Sequence, residues 1–302
     1  MRKKDVLSSP RLLELKKKRQ KDFWMKVVLY GSLFVAILVG LTYLSRSEKF
    51  NISTVEVFGN KVIDGEQIKA VVENNMSGYY LWLFPKSNFL LYPKTRIERD
   101  LQMQFRRLKD ISFNVVGRKS LEVKLNEREG KYLWCGVDLP QDMSTTECYF
   151  MDSSGYIFDN APYFSGDIYF KFFGPVSDTT TPIGNTFEPS LFGSLTTFKD
   201  SLVALGVKPS TIYLSPDGEI DLYMSSNISI PNAPKIIFKV DSNLEKIIEN
   251  LQAALDTEPL KTDFVKKYKT LQYIDLSFGN KVYYKFAAPA VEVPPVVLPT
   301  TP

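Results

Sequence analysis

The sequence predicts an α+β protein carried on a single N-terminal transmembrane helix. Three observations predict it. One long uncharged run, Val27–Ser45 (VVLYGSLFVAILVGLTYLS), has no counterpart elsewhere in the chain. Between Phe50 and Glu129 the apolar pattern switches from period two to helical spacing and back, giving strand, helix, helix, strand, strand. From Gly130 onward short alternating strands dominate, and they end on a hairpin at Leu271–Phe286.

The uncharged run has 19 residues, and a helix of that length is about 28 Å long, close to the thickness of a bilayer's hydrocarbon core. Lys26 and Arg46 bracket it, and Trp24 and Tyr43 suit its two interfaces. A cleaved signal would need a shorter apolar region and a small-residue cleavage site, and LSRSEKF offers none. The run therefore reads as an uncleaved anchor (27–45), with a basic tail (1–26) in the cytoplasm and everything from residue 46 outside. Residues 1–26 hold ten Lys and Arg against three acids, so residues 27–302 are net −3 in a chain that is +4 overall. The basicity belongs to the tail, and no basic face for nucleic acid is indicated in the outer part. Arg11–Lys18 (RLLELKKK) could lie as a short helix on the membrane surface.

The first outer unit (46–129) opens with VEVFGNKVIDGEQIKAV. Val55 and Val57 alternate with Glu56 in a strand, and Gly59-Asn60 is a turn. Asp64 and Gln67 make a capping box, with Ile63 and Ile68 as a hydrophobic staple. The segment Met76–Pro93 is apolar, aromatic and broken by Gly and Pro. A second helix starts at Thr95, with its stripe at Ile97, Leu101, Phe105 and Leu108. Two strands follow, alternating at Ile111, Phe113, Val115 and at Leu121, Val123, Leu125. Two helices on one side of such a sheet would bury every apolar face.

The second unit (130–287) offers KYLW, CYFM, YIF, DIYFKFF, TIYL, EIDLYM and KIIFKV as strands. Two helices interrupt them, Pro189–Gly206 and Ser242–Asp256, the latter opened by a Ser242/Glu245 capping box. The closing hairpin turns at Gly279-Asn280. The remainder, 288–302, is Pro-rich without period and reads as a disordered tail. Cys135 and Cys148 flank a 12-residue loop outside the membrane. A disulfide there would stabilise by about 3 kcal/mol; the alternative is two reduced, partly buried thiols.

The catalytic inventory is thin. The chain has no histidine, which removes Ser-His-Asp and Cys-His systems and HExxH metal sites. There is no SxxK, no GxxxxGK[ST] and no GxGxxG. Two carboxylate pairs, Asp152/Asp159 and Asp217/Glu219, sit in turn-like contexts. The reading is a non-enzyme without cofactor or metal.

The whole pattern resembles the FtsQ/DivIB cell-division proteins. The likeness is carried by VEVFGN with its capped helix, SLEVKLNERE, YFMDSSGYIFD and LQYIDLSFGNKVYYKF, in the family's order across most of residues 50–286. Ser277 stands where the family often has Arg after IDL, and the Cys135–Cys148 segment is not a family hallmark. The resemblance implies that the first outer unit is a POTRA domain (β-α-α-β-β). It also implies a non-enzymatic scaffold at the division septum that binds partners of FtsB/FtsL type and, through them, the septal peptidoglycan synthase. The competing reading is a POTRA-containing accessory factor for transport or secretion.

An edge strand shows unpaired N–H and C=O groups, and a partner strand can add to it. The residues expected to meet the partner are Phe278, Lys281, Val282, Tyr283, Tyr284, Lys285 and Phe286. Alternation groups Ile274, Leu276 and Phe278 on one face of the first hairpin strand, and Val282, Tyr284 and Phe286 on one face of the second. Which faces pack on the core is open at this point.

Overall fold

A computed structural model describes residues 10–228 and 230–287. The Pro-rich tail expected at 288–302 lies outside the described residues. The chain is an α+β protein: one long apolar helix, then sheet-rich structure in two compact units that divide between Glu127 and Arg128.

Helix α1 (Pro10–Ser45) has 36 residues, so it runs about 54 Å, well beyond a hydrocarbon core of about 30 Å. Its segment from Glu14 to Ser45 is long and apolar enough to cross a membrane. Arg11–Lys18 is not a separate surface helix; it is the first part of α1. No Gly or Pro stands between Arg11 and Tyr30 to break the helix.

In the first unit, β1 (Thr54–Phe58) leads to α2 (Gly65–Met76). Asp64 caps α2, its carboxylate accepting from the Glu66 N–H at 3.1 Å. A small hairpin, β2 (Tyr79–Tyr80) and β3 (Phe84–Pro85), precedes α3 (Lys94–Gln104). This helix does not start at Thr95. Pro93 holds the cap position and offers no side-chain acceptor to the first turn, and Thr95 lies inside that turn, past the place where its hydroxyl could cap the helix. The helix is also shorter than its stripe suggested. The chain leaves it at Phe105, and Leu108 begins β4 (Leu108–Val116), followed by β5 (Ser120–Glu127).

The sheet order is β1-β5-β4, with β1 parallel to β5 and β4 antiparallel to it. Only a crossover through α2 and α3 brings β1 and β5 side by side in parallel. Ile68 and Val72 of α2, Ile97 and Leu101 of α3, and Leu121 and Val123 of β5 are wholly buried in the resulting core. At the end of β1, Gly59 takes φ +90°, and a Cβ there would lie 2.1 Å from the Leu125 carbonyl oxygen. The turn signal in VFGN therefore reflects a close backbone approach as well as a left-handed residue. The last residue of β5, Glu127, is buried and accepts from the N–H groups of Lys61, Val62 and Ile63 at 2.7, 3.0 and 3.0 Å. It anchors the loop that launches α2.

The second unit is a nine-stranded mixed sheet. Its strands are β6 (Tyr132–Trp134), β7 (Cys148–Met151), β8 (Ile157–Ala161), β9 (Phe170–Phe173), β10 (Pro209–Leu214), β11 (Glu219–Met224), β12 (Lys235–Lys239), β13 (Leu271–Phe278) and β14 (Lys281–Phe286). Their spatial order is β14-β13-β12-β11-β10-β9-β6-β7-β8. Helices α4 (Phe192–Ala204) and α5 (Leu244–Asp256) supply one side of the core, with Phe198, Leu202 and Leu251 packed beside Phe172, Ile220, Ile236 and Ile274. Helix α4 ends in a Schellman turn. Gly206, at φ +83°, donates to Val203, and Val207 donates to Leu202.

The capping box expected at Ser242/Glu245 does not form. Ser242 still belongs to the turn after β12, its N–H bonded to the Lys239 carbonyl, so Asn243 takes the cap and accepts from the Lys246 N–H at 3.1 Å. Helix α6 (Leu260–Lys266) was not foreseen. It has seven residues and buries only Leu260, so it leaves no stripe in the sequence.

Candidate partner-binding edge

The terminal hairpin gains its shape from three local causes. Gly279 accepts a positive φ of +66° at the turn. The Asn250 side chain of α5 donates to the Gly279 carbonyl at 2.8 Å and pins the turn to the helix. Leu271, Ile274 and Leu276 are buried under α5, and Val282, Tyr284 and Phe286 pack half-buried on the same core.

This assigns the faces. Lys281, Tyr283 and Lys285 point away from the core and are exposed, whereas Val282, Tyr284 and Phe286 face their own domain. Phe278 departs from the expected alternation. The register shifts between Asp275 and Phe278, and the Ser277 N–H turns onto the Asp275 carboxylate at 2.9 Å. The shift removes Phe278 from the Ile274/Leu276 face and leaves it 58% exposed, edge-on to Tyr283.

Strand β14 ends the sheet, and among the described residues no strand lies on its far side. Beside it runs a groove of about 320 Å³ whose walls include Ala253, Ala254, Leu260, Val282 and Tyr284. A strand added to β14 would direct alternate side chains into that groove and the others toward Tyr283 and Lys285.

The outward face continues beyond the hairpin. Cross-strand register sets Tyr223, Lys235, Tyr273 and Lys285 in one row. It sets Asp221, Ile237, Asp275 and Tyr283 in the next. Lys235 bonds Asp221 at 2.6 Å, and Tyr223 donates to the same carboxylate at 3.2 Å. Burial pushes the Tyr223 hydroxyl up, and the Asp221 charge adds to it. Burial also raises the carboxyl of Glu219, reinforced by the charge of Asp221. These two rows are not legible in the sequence. Each strand showed its alternation, but the parallel pairing of β12 with β13 joins segments separated by two helices, and no local signal records it.

The remaining candidates resolve into structural roles. Asp152 is buried and carries the turn after β7, accepting from Ser154 and Tyr156 and pairing with Arg128. Burial opposes its charge, but these bonds outweigh it and hold the carboxyl below the usual range. Asp217 is exposed in the turn before β11, and bonds from Ser215 and Glu219 lower its carboxyl. Cys135 and Cys148 are joined by a disulfide. A cavity of about 210 Å³ on the other side of the sheet from α4 is lined by Leu133, Cys148, Phe164 and the buried Lys171. Burial pushes the Lys171 ammonium down, opposed by Asp167, and the amine donates to the Gly166 carbonyl at 3.0 Å.

No protein-family model matches the chain, and no curated protein matches it.

Proposed function

We propose that this chain is a single-pass membrane scaffold of the bacterial division septum, similar to the FtsQ/DivIB proteins, with α1 as its anchor. In this reading the first unit, ordered β1-α2-β2-β3-α3-β4-β5, is a POTRA domain (β-α-α-β-β) with the small β2–β3 hairpin inserted between its two helices. The second unit carries the partner site on β14. The partner is an extended segment of FtsB/FtsL type that adds to the sheet edge and links the scaffold to the septal peptidoglycan synthase. The observation that carries the proposal is the edge of β14, which pairs with no further strand among the described residues and has a groove of mixed polar and apolar lining on one side and exposed Phe278, Tyr283 and Lys285 on the other.

Main-chain hydrogen bonds along β14 would supply affinity, and the exposed side chains of its outward face, Lys281, Tyr283 and Lys285, would supply selectivity. The free edge also explains why Lys281 and Lys285 flank Tyr283: edge lysines discourage uncontrolled strand pairing while leaving a specific partner free to dock. The test has two parts. A fluorescent fusion of the full chain should form a midcell band in dividing cells. The full chain carrying Tyr283→Ala and Lys285→Glu should keep its fold and lose retrieval of the FtsB-type partner. Uniform peripheral fluorescence, or undiminished retrieval, would overturn the proposal.

A further inference from the structure

The loop between β2 and β3 is built unlike an ordinary tight turn. Leu83 closes it by donating to the Tyr80 carbonyl at 3.0 Å. Its two central residues, Leu81 and Trp82, both have positive φ, +47° and +62°. Such turns favour Asn-Gly, because bulky side chains are strained in that region. Here the two positions carry large apolar side chains that touch almost nothing: Leu81 is 87% and Trp82 88% exposed. Tyr79, Leu90 and Leu91 add to the exposed apolar surface.

The position of this surface is fixed by the end of α1. Arg46, the first residue past the helix, donates to the Trp82 carbonyl at 2.8 Å and to the Leu83 carbonyl at 3.4 Å. Its guanidinium also lies over the Tyr79 ring, 5.3 Å from the centroid. A second tie holds the loop that carries Leu90 and Leu91. Asn88, itself buried, donates to the Ser45 hydroxyl at 3.2 Å, and its carboxamide oxygen accepts from the Leu90 N–H at 3.0 Å. Both apolar loops are thus bonded to residues 45 and 46, where the apolar helix stops. Arg46 and Lys86, the latter over the Tyr80 ring, supply cations at the base of the hairpin.

We infer that the Leu81–Trp82 hairpin tip and the Leu90–Leu91 loop dip into the outer face of the bilayer that α1 crosses, and that Arg46 is the bracket joining them to the anchor. The inference rests on the reading of α1 as a spanning helix. Tyr and Trp favour the headgroup level, basic side chains favour the phosphates, and an apolar tip of this kind sits about 5–10 Å into the headgroup–acyl boundary. Strain in the turn is the cost of presenting two large apolar side chains at its apex, and burial in lipid offsets it. The first unit is then held at the membrane by its own hairpin as well as by the chain connection.

The test uses the full chain in nanodiscs of phosphatidylethanolamine and phosphatidylglycerol. No free cysteine exists among the described residues, so single additions can be labelled with an environment-sensitive fluorophore under non-reducing conditions. Three positions are compared: Leu33→Cys within α1, Leu81→Cys at the tip, and Val62→Cys, exposed beyond the opposite end of β1. The expected result is blue-shifted emission, quenched by spin-labelled lipid, at positions 33 and 81. Position 62 should be quenched only by aqueous iodide. Quenching by lipid at 33 with iodide quenching at 81 would overturn the inference and leave the tip to a protein partner. Iodide quenching at 33 would remove the spanning reading and the inference with it.

Discussion

The ring of Phe278 meets that of Tyr283 edge-on, with centroids 5.3 Å apart, across the turn that closes the terminal hairpin. The pair exists because the register slips between Asp275 and Phe278 and moves Phe278 out of the core row. Exposed aromatic pairs at an open sheet edge are suited to act as binding anchors. Replacing either ring by Ala should change the stability of the second unit by no more than about 0.5 kcal/mol, as for surface positions. Each replacement should weaken partner binding by roughly 1–2 kcal/mol, a loss of about five- to thirtyfold in affinity. Tyr284→Ala should do the reverse in emphasis: it lies on the core face and should lower the unfolding free energy by about 1–3 kcal/mol. Calorimetric binding read beside thermal unfolding separates the two faces.

Glu127 shows how one carboxylate can organise a helix start. Burial disfavours its charge, yet the N–H groups of Lys61, Ile63 and Val62 more than offset this, and its pKa is lowered from the ordinary 4.5. A lowered folded-state pKa means stability that is fully present above the unfolded value and is lost as pH falls through the folded one. Glu127→Gln should therefore destabilise the first unit at pH 7 by about 1–3 kcal/mol. The gap between variant and parent should narrow as pH drops below 4.5. Urea unfolding followed at pH 7, 4 and 3 checks both the size and the sign.

Gly59→Ala should be among the most damaging single substitutions in the first unit. Positive φ alone costs a residue with a Cβ about 1–2 kcal/mol. The clash with the Leu125 carbonyl then forces β1 and β5 apart at the end of their parallel pairing. A total loss of at least about 2 kcal/mol is expected. Gly117→Ala, where φ is also positive but a Cβ meets nothing within 4 Å, should cost only the conformational part. Comparing their melting temperatures isolates the close approach.

The sequence displayed what is local and concealed what depends on distant partners. The three sheet strands and two helices of the first unit are legible because each strand alternates and Asp64 marks a helix start, whereas the two-residue strands β2 and β3 are too short to show a period. The strands of the second unit are legible as short apolar segments, many of them alternating, although β9 and β11 are buried on both faces and show no such period. Helix starts failed where two polar residues compete, as Ser242 and Asn243 do, because the choice depends on where the preceding turn ends. The hairpin's faces could not be assigned from alternation alone. The packing of α5 decides which face is buried, and a bulge invisible in the sequence inverts Phe278. The segment Met76–Pro93 is legible as apolar, aromatic and broken, but its attachment to the end of α1 needs Arg46 and Asn88, and neither announces a partner dozens of residues away.

The disulfide gives a prediction that separates stability from the proposed binding edge. Cys135 is buried and Cys148 half-buried, in a small cluster with Leu133 and Phe173, and Met143 of the intervening loop packs against it. Their separation is 13 residues, and closing a loop of that order stabilises by about 3 kcal/mol. Cys135→Ala with Cys148→Ala should lower the unfolding free energy of the second unit by roughly that amount, as should reduction of the parent protein. The strand that Cys148 opens, β7, lies next to the last position at one end of the sheet order, while β14 lies at the other. The double variant should therefore bind the partner as the parent does at any temperature where both are folded. Reducing agent should shift the melting temperature of the parent and leave that of the double variant unchanged. If breaking the bridge also weakened binding under folded conditions, the contact would have to extend beyond β14 toward β6 and β7, and the edge-strand account would need to be replaced by one that includes that end of the sheet.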